Sequence, residues 1–386
     1  MGRLSRKTVA WTAGAALVAG GCTAGIVVAV QGAGGSGTSA SGAVRPSTAP
    51  TAAARAAVVK PVPLRVVSIS PASGGRAVNG AGDITVTYNQ PLPATAPMPA
   101  LSPSIAGSWQ RTGDTVVFKP ATGFPAGTRV KVTAAGAAGQ GARPETSSSF
   151  KTGAYSTLRL QEILAQLGYL PLTWTPAADA AGVDTASAAA QLSAAYAPPA
   201  GTFHWQRGYP SQLLSFWSPG KENTLDRGAI TGFEADHGLA TDGVAGKAVW
   251  KALLTAAAAN ERNTHGYSYA VASEGVPETL TIWHDGQKVF SSVANTGISV
   301  APTATGTYPV YEKLTFQVMQ GTNPDGSHYA DPVSWVSYFN GGDAVHFFDR
   351  GSYGWPQSLG CVELPYTAAK SAYPYLPYGT LVTVSA

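Results

Sequence analysis

Ser358-Leu359-Gly360-Cys361-Val362-Glu363-Leu364, with His346 fifteen residues upstream of the cysteine, is the stretch whose reading decides this chain. A thiol attacks as its thiolate, and a neighbouring imidazole lowers its pKa and takes its proton. His346 is the only histidine between Tyr329 and the C-terminus, so it is the natural base for Cys361. It follows Ala344 and Val345 at what reads as a strand end. Gly360 lets the backbone N–H groups of Gly360 and Cys361 turn toward one point, as an oxyanion hole requires. Together these are the parts of a cysteine acyl-transfer site. Taken alone, a lone cysteine is more often a small buried hydrophobe.

The 386 residues exceed one ordinary domain, and two or three compact units are expected. Hydrophobic residues make up 44%, enough for packed cores, while charged residues reach only 12%. With 45 glycines and 28 prolines the composition fits a β-rich, loop-rich protein with linkers. The net charge of +4 comes without a basic, aromatic-interleaved stripe, which excludes nucleic acid as the expected partner.

Arg3, Arg6 and Lys7 precede a run from Thr8 to Val30 that carries no charge. Such a run spans about 34 Å as a helix, and basic residues before it place the remainder outside the membrane. Residues 1–30 therefore read as a signal or membrane anchor. Ala19-Gly20-Gly21-Cys22 offers a second reading, a lipoprotein site acylated at Cys22. Both readings give an extracytoplasmic protein held at the membrane and cell wall. Only two cysteines are present, and Cys22 belongs to the anchor, so Cys361 is expected to be an unpaired exported thiol. Such thiols oxidise unless they have work to do, which turns the expectation toward a nucleophile.

Residues 31–60 are Gly, Ser, Thr, Ala and Pro with few large apolar side chains, a flexible linker. Residues 61–152 show short alternating runs separated by turn residues: Val66, Val67 and Ile69; Ile84, Val86 and Tyr88; Trp109 through Gly113-Asp114 to Val116 and Phe118; Val130 and Val132. This pattern predicts a β-sandwich. Residues 155–258 switch to helical spacing at Leu160, Ile163, Leu164 and Leu167, ending at Gly168. Further helices are expected from Arg227 to His237 and through Trp250, Leu253 and Leu254. Between them lies Asp242-Gly243-Val244-Ala245-Gly246, a tight turn. Residues 265–386 return to strands, with a hairpin signal at His284-Asp285-Gly286.

These motifs carry three resemblances. Residues 61–152 resemble bacterial immunoglobulin-like domains. Ala229 to Leu254, with the helix before Gly168-Tyr169-Leu170, resembles a small three-helix peptidoglycan-binding domain. Glu234 stands where that family usually has glutamine, and residues 171–225 are an insertion. Trp174, Trp205 and Trp217 in the insertion read either as an added mini-core or as sugar-stacking rings, and the module either as a wall binder or as a spacer. Residues 265–386 resemble the L,D-transpeptidase catalytic domain, through Thr303-Ala304-Thr305-Gly306-Thr307-Tyr308, Ala344-Val345-His346 and the Ser-x-Gly-Cys core. The chain is thus expected to be multidomain and mainly β.

The last resemblance implies a transferase of cell wall biogenesis. It would join the third residues of two peptidoglycan stem peptides through a thioester on Cys361, need no cofactor or metal, and be acylated by carbapenem-type β-lactams. It implies that the carbonyl of Phe347 holds the second nitrogen of His346, that Tyr329 contacts substrate, and that Ser358 shapes the loop by hydrogen bonding. Leu359 replaces the family's usual histidine, and Glu363 replaces an asparagine or arginine, adding negative charge near the nucleophile. Hydrolysis at the same site, an L,D-carboxypeptidase, and a non-enzymatic wall-binding scaffold are the alternatives.

Overall fold

The structure, a computed structural model, describes residues 62–134, 146–178 and 187–386. The expected anchor and linker lie outside the described residues. Among the described residues no helix is long and apolar enough to cross a membrane.

The first strands are β1 (Val66–Ser70), β2 (Ile84–Tyr88), β3 (Ala100–Ser102), β4 (Gly107–Thr112), β5 (Thr115–Pro120), β6 (Arg129–Ala134) and β7 (Thr146–Lys151). They form two sheets, β1-β2-β5-β4 and β3-β6-β7. Alternation sends Ile84, Val86, Tyr88, Val116, Phe118, Val130 and Val132 into one buried cluster between them. The Gly113-Asp114 turn joins β4 to β5, with Thr112 facing Thr115.

Helices follow: α1 (Thr157–Gln166), then β8 (Leu172–Pro176), α2 (Ala188–Tyr196), β9 (Gly201–Trp205), α3 (Ser211–Leu214), α4 (Thr224–Asp236) and α5 (Lys247–Ala259). Gly168, at φ +83°, ends α1 in the left-handed conformation glycine tolerates. The insertion contributes the antiparallel β8–β9 pair, with α2 between the two strands in sequence. Its Trp174, Phe203, Trp205 and Trp217 pack on the helical core, with Phe203 and Trp217 edge to face at 5.0 Å. That core also takes in Tyr267, Tyr269 and Leu381 from the following segment. Gly228 of α4 lies so close to the chain at Gly379 that a Cβ there would stand 2.7 Å from the Gly379 oxygen.

Glu234 of α4 is 1% exposed, and one carboxylate oxygen accepts the Gly243 N–H at 2.8 Å. Burial pushes its carboxyl up to about 7, and burial does the same to Asp226 of the same helix. The folded chain therefore binds these protons more tightly than the unfolded chain does. Stability should fall as pH rises from the ordinary carboxyl range to about 7, each group contributing on the order of 1–3 kcal/mol. Thermal unfolding should show a higher midpoint at pH 5 than at pH 7.5, and Asp226→Asn with Glu234→Gln should flatten that dependence.

The remaining strands are β10 (Ser268–Ser273), β11 (Thr279–His284), β12 (Gln287–Val293), β13 (Gly306–Pro309), β14 (Glu312–Thr322), β15 (His328–Asn340), β16 (Asp343–Phe347) and β17 (Val362–Leu364), followed by α6 (Tyr366–Ala372) and β18 (Leu381–Ser385). They form sheets β12-β11-β10-β18-β13 and β14-β15-β16-β17. Asp285 and Gly286 both have positive φ at the β11–β12 turn, where His284 faces Gln287. One buried cluster joins Ala270, Ile282 and Val382 of the first sheet to Phe339, Val345, Val362 and Leu364 of the second. The opposite face of the second sheet carries a separate small cluster of Val333, Val336 and Ala344, against which Cys361 packs.

Candidate active site

Strands β16 and β17 run parallel, with Val345 facing Val362 and His346 facing Glu363. Strand side chains alternate, and Val345 and Val362 point into the core between the sheets. Ala344, His346 and Glu363 therefore share the other face, and Cys361, one residue before β17, lies on it beside Ala344. His346 on β16 and Cys361 just before β17 lie two residues apart in register, a diagonal offset of about 7–8 Å between Cα atoms. The motif and the upstream histidine are thus brought onto one surface.

His346 is 3% exposed. Its Nδ1–H donates to the Phe347 carbonyl at 2.9 Å, so Nε2 is the nitrogen that can accept a proton. Burial holds the ring's pKa below the usual histidine range, against the opposite pull of that hydrogen bond and of Glu363. Cys361 is half-buried, and its Sγ points to the Gly342 carbonyl at 3.6 Å. Burial pushes the thiol up to about 12, with the Ala344 N–H pulling down and Asp343 and Glu363 pushing further up. Burial and two carboxylates thus work against the ready-made thiolate expected from the imidazole. Shifts in these directions favour the neutral thiol and the neutral imidazole at rest.

Ser358 is 1% exposed; its hydroxyl donates to the Cys361 carbonyl at 2.6 Å and accepts the Gly360 N–H at 3.2 Å. The Gly360 N–H, expected to serve an oxyanion hole with that of Cys361, is taken by Ser358 in this structure. Gly360 has φ +117°, and a Cβ there would lie 2.5 Å from an Asp343 carboxylate oxygen. Asp343 also accepts the Ala304 N–H at 3.2 Å, which ties the Thr303–Tyr308 stretch to the cysteine loop.

The hairpin β14–β15 overhangs this surface. Gly321 pairs with Tyr329, Met319 with Asp331 and Gln317 with Val333, so these side chains share the site-facing side. Burial raises the Tyr329 phenol above its ordinary range. Tyr338 donates its hydroxyl to Gln317 at 2.9 Å.

The negative charge expected from Glu363 helps to raise the Cys361 thiol, and a cation is paired with it. Arg350 grips its carboxylate through Nε at 2.9 Å and Nη2 at 2.7 Å, and Asn295 donates to it at 3.3 Å. Arg350 also donates to the Gln357 carbonyl at 3.1 Å and lies over the Phe348 ring at 4.5 Å. Arg350 and Asp343 went unnoticed in the sequence. A signal for the first existed: a carboxylate two residues after a nucleophile demands a cation, and Arg350 is the only basic residue between Lys313 and Lys370. Asp343, after a Gly-Gly turn, gave none. Among the described residues no group of His, Cys, Asp and Glu is arranged to hold a metal.

Residues 269–384 match the YkuD family, the L,D-transpeptidase catalytic domain. None of the curated proteins compared matches the chain. Solved structures similar to it include an L,D-transpeptidase from Mycobacterium smegmatis, 16% identical over 84% of this chain and 100% of that one, TM-score 0.29. Another is L,D-transpeptidase 3 from Mycobacterium tuberculosis with a faropenem-derived adduct, 16% identical over 83% of this chain and 98% of that one, TM-score 0.29. A third is the catalytic domain of the E. faecium L,D-transpeptidase, 24% identical over 32% of this chain and 99% of that one, TM-score 0.28.

Proposed function

We propose that the chain is a peptidoglycan L,D-transpeptidase that works through a thioester on Cys361. The observation that carries this is the common surface of Cys361 and His346, with the imidazole locked by the Phe347 carbonyl so that Nε2 is the basic nitrogen. Cys361 Sγ adds to the carbonyl between the third residue of a donor stem, a diamino acid, and its terminal D-alanine. His346 Nε2 takes the thiol proton and passes it to the leaving amine as the C–N bond breaks. The side-chain amine of an acceptor stem then attacks the thioester, gives up a proton to His346, and returns the thiol as the new amide forms. The Cys361 N–H is the main-chain donor for the oxyanion. Tyr329, its phenol held protonated by burial, stands as a second donor from the overhanging hairpin. Arg350, through Glu363, positions the strand that bears the nucleophile.

The charge-free run behind Arg3, Arg6 and Lys7 supports tethering outside the membrane. The helical part shares its core with Tyr267, Tyr269 and Leu381, which favours a rigid spacer over an independent wall-binding domain. A carbapenem, as a strained acyl donor, should acylate the same sulfur.

The protein incubated with tetrapeptide-bearing muropeptides should release D-alanine and yield dimers joined through their third residues. Tripeptide monomers without dimers would replace transfer by hydrolysis. No release of D-alanine would leave a scaffold.

A further inference from the structure

Between the sandwich and the helical part runs an open cleft of about 1830 Å³. Arg76, Arg129 and Lys151 line it from the sandwich, and Lys247 and Lys251 line it from α5; Glu222 is the one carboxylate among its lining residues. The charge is set up unfavourably twice. Arg129 faces Lys151 directly across the β6–β7 ladder, where like charges repel at short range. Lys247 and Lys251 stand one helical turn apart in the first turns of α5, where the helix dipole already disfavours cations. That helix starts at Gly246 with no side-chain cap and no acidic residue in its first turn. None of the five cations forms an ion pair among the described residues. Two unrelated elements thus hold like charges together around one space, in a chain with only 12% charged residues. A folded chain gains nothing from this arrangement on its own, and an external anion relieves both repulsions at once.

We propose that this cleft binds a linear phosphodiester polymer with a polyol or sugar backbone. Guanidinium forks and the open N–H groups at the start of α5 suit tetrahedral oxyanions. Tyr155, partly buried and packed on the core residue Trp250 at 4.8 Å between ring centroids, lines the same cleft and offers an apolar surface to the backbone between phosphates. Five cations spread along one cleft, from the sandwich and from α5, suit an extended polyanion. The site is separate from Cys361, and the inference holds whatever that sulfur does.

The test is binding of the full chain to poly(glycerol phosphate), with poly-L-glutamate as the carboxylate control. Binding should weaken steeply with salt, and Lys247→Glu with Lys251→Glu should weaken it at least about tenfold, as should Arg129→Glu. The same reversals should leave the melting temperature unchanged or raise it, since they remove repulsion, an outcome that a merely structural role for these cations does not produce. Should a reversal fail to fold, Lys247→Gln with Lys251→Gln serves instead. Equal affinity for poly-L-glutamate would overturn the phosphate assignment. Binding indifferent to the substitutions, or no binding at low salt, would overturn the site.

Discussion

Replacing His346 by glutamine should slow acylation of Cys361 at pH 7 by roughly 10²–10⁴-fold, the span a positioned general base contributes. The size follows from the thiol. With its pKa pushed up to about 12, only about one sulfur in 10⁵ is ionised at neutral pH without help. In the proposed mechanism the unmodified protein avoids that deficit by moving the proton to His346 Nε2 within the acylation step. Its rate should be flat across neutral pH and fall only on acidification below the usual histidine range, because burial lowers the imidazole pKa. The variant depends on ionisation to solvent, so its rate should climb tenfold per pH unit well past pH 9. Single-turnover acylation by a carbapenem, followed from pH 5 to 10, reads both curves. Parallel curves for the two proteins would remove His346 from the proton transfer.

Arg350→Ala should be the most destabilising single change near the site. It leaves Glu363, 5% exposed at its side chain, as a buried carboxylate held only by Asn295. Breaking a fully buried ion pair costs about 3–5 kcal/mol. Arg350 keeps 30% of its side chain exposed, so water recovers part of that, and roughly 2–4 kcal/mol is expected. Arg350→Met combined with Glu363→Gln should regain most of it, because the unpaired charge is gone. Denaturant unfolding measures both. The single variant should also acylate more slowly, since an uncompensated Glu363 pushes the thiol further up. A loss below about 0.5 kcal/mol would mean the pair is a surface contact without structural weight.

How far the site was legible follows the range over which its parts act. Cys361, Gly360 and Ser358 lie in one heptapeptide, and the parallel pairing that adds His346 needs only one strand on each side. The alternation of Ile84, Val86 and Tyr88, the turn at Asp285-Gly286 and the end of α1 at Gly168 are local effects of pleat and backbone conformation. What stayed hidden is electrostatic and non-local. The sequence places an imidazole near a thiol, but whether the thiol ionises depends on how dry the sulfur is and on Asp343 and Glu363 around it. Ser358 was read as a loop former, yet its capture of the Gly360 N–H depends on the positive φ at Gly360 and the crowding against Asp343. The overhang of β14 and β15 rests on a bulge between Ser334 and Ser337 with Trp335 at φ +60°, which no turn residue announces.

The central claim is that Cys361 is an acyl-accepting nucleophile, and intact mass after incubation with a carbapenem tests it most directly. The account predicts one stoichiometric adduct on the unmodified protein, located on the peptide containing Cys361, and none on Cys361→Ala. An unmodified mass after prolonged incubation, or an adduct that survives Cys361→Ala, would contradict it.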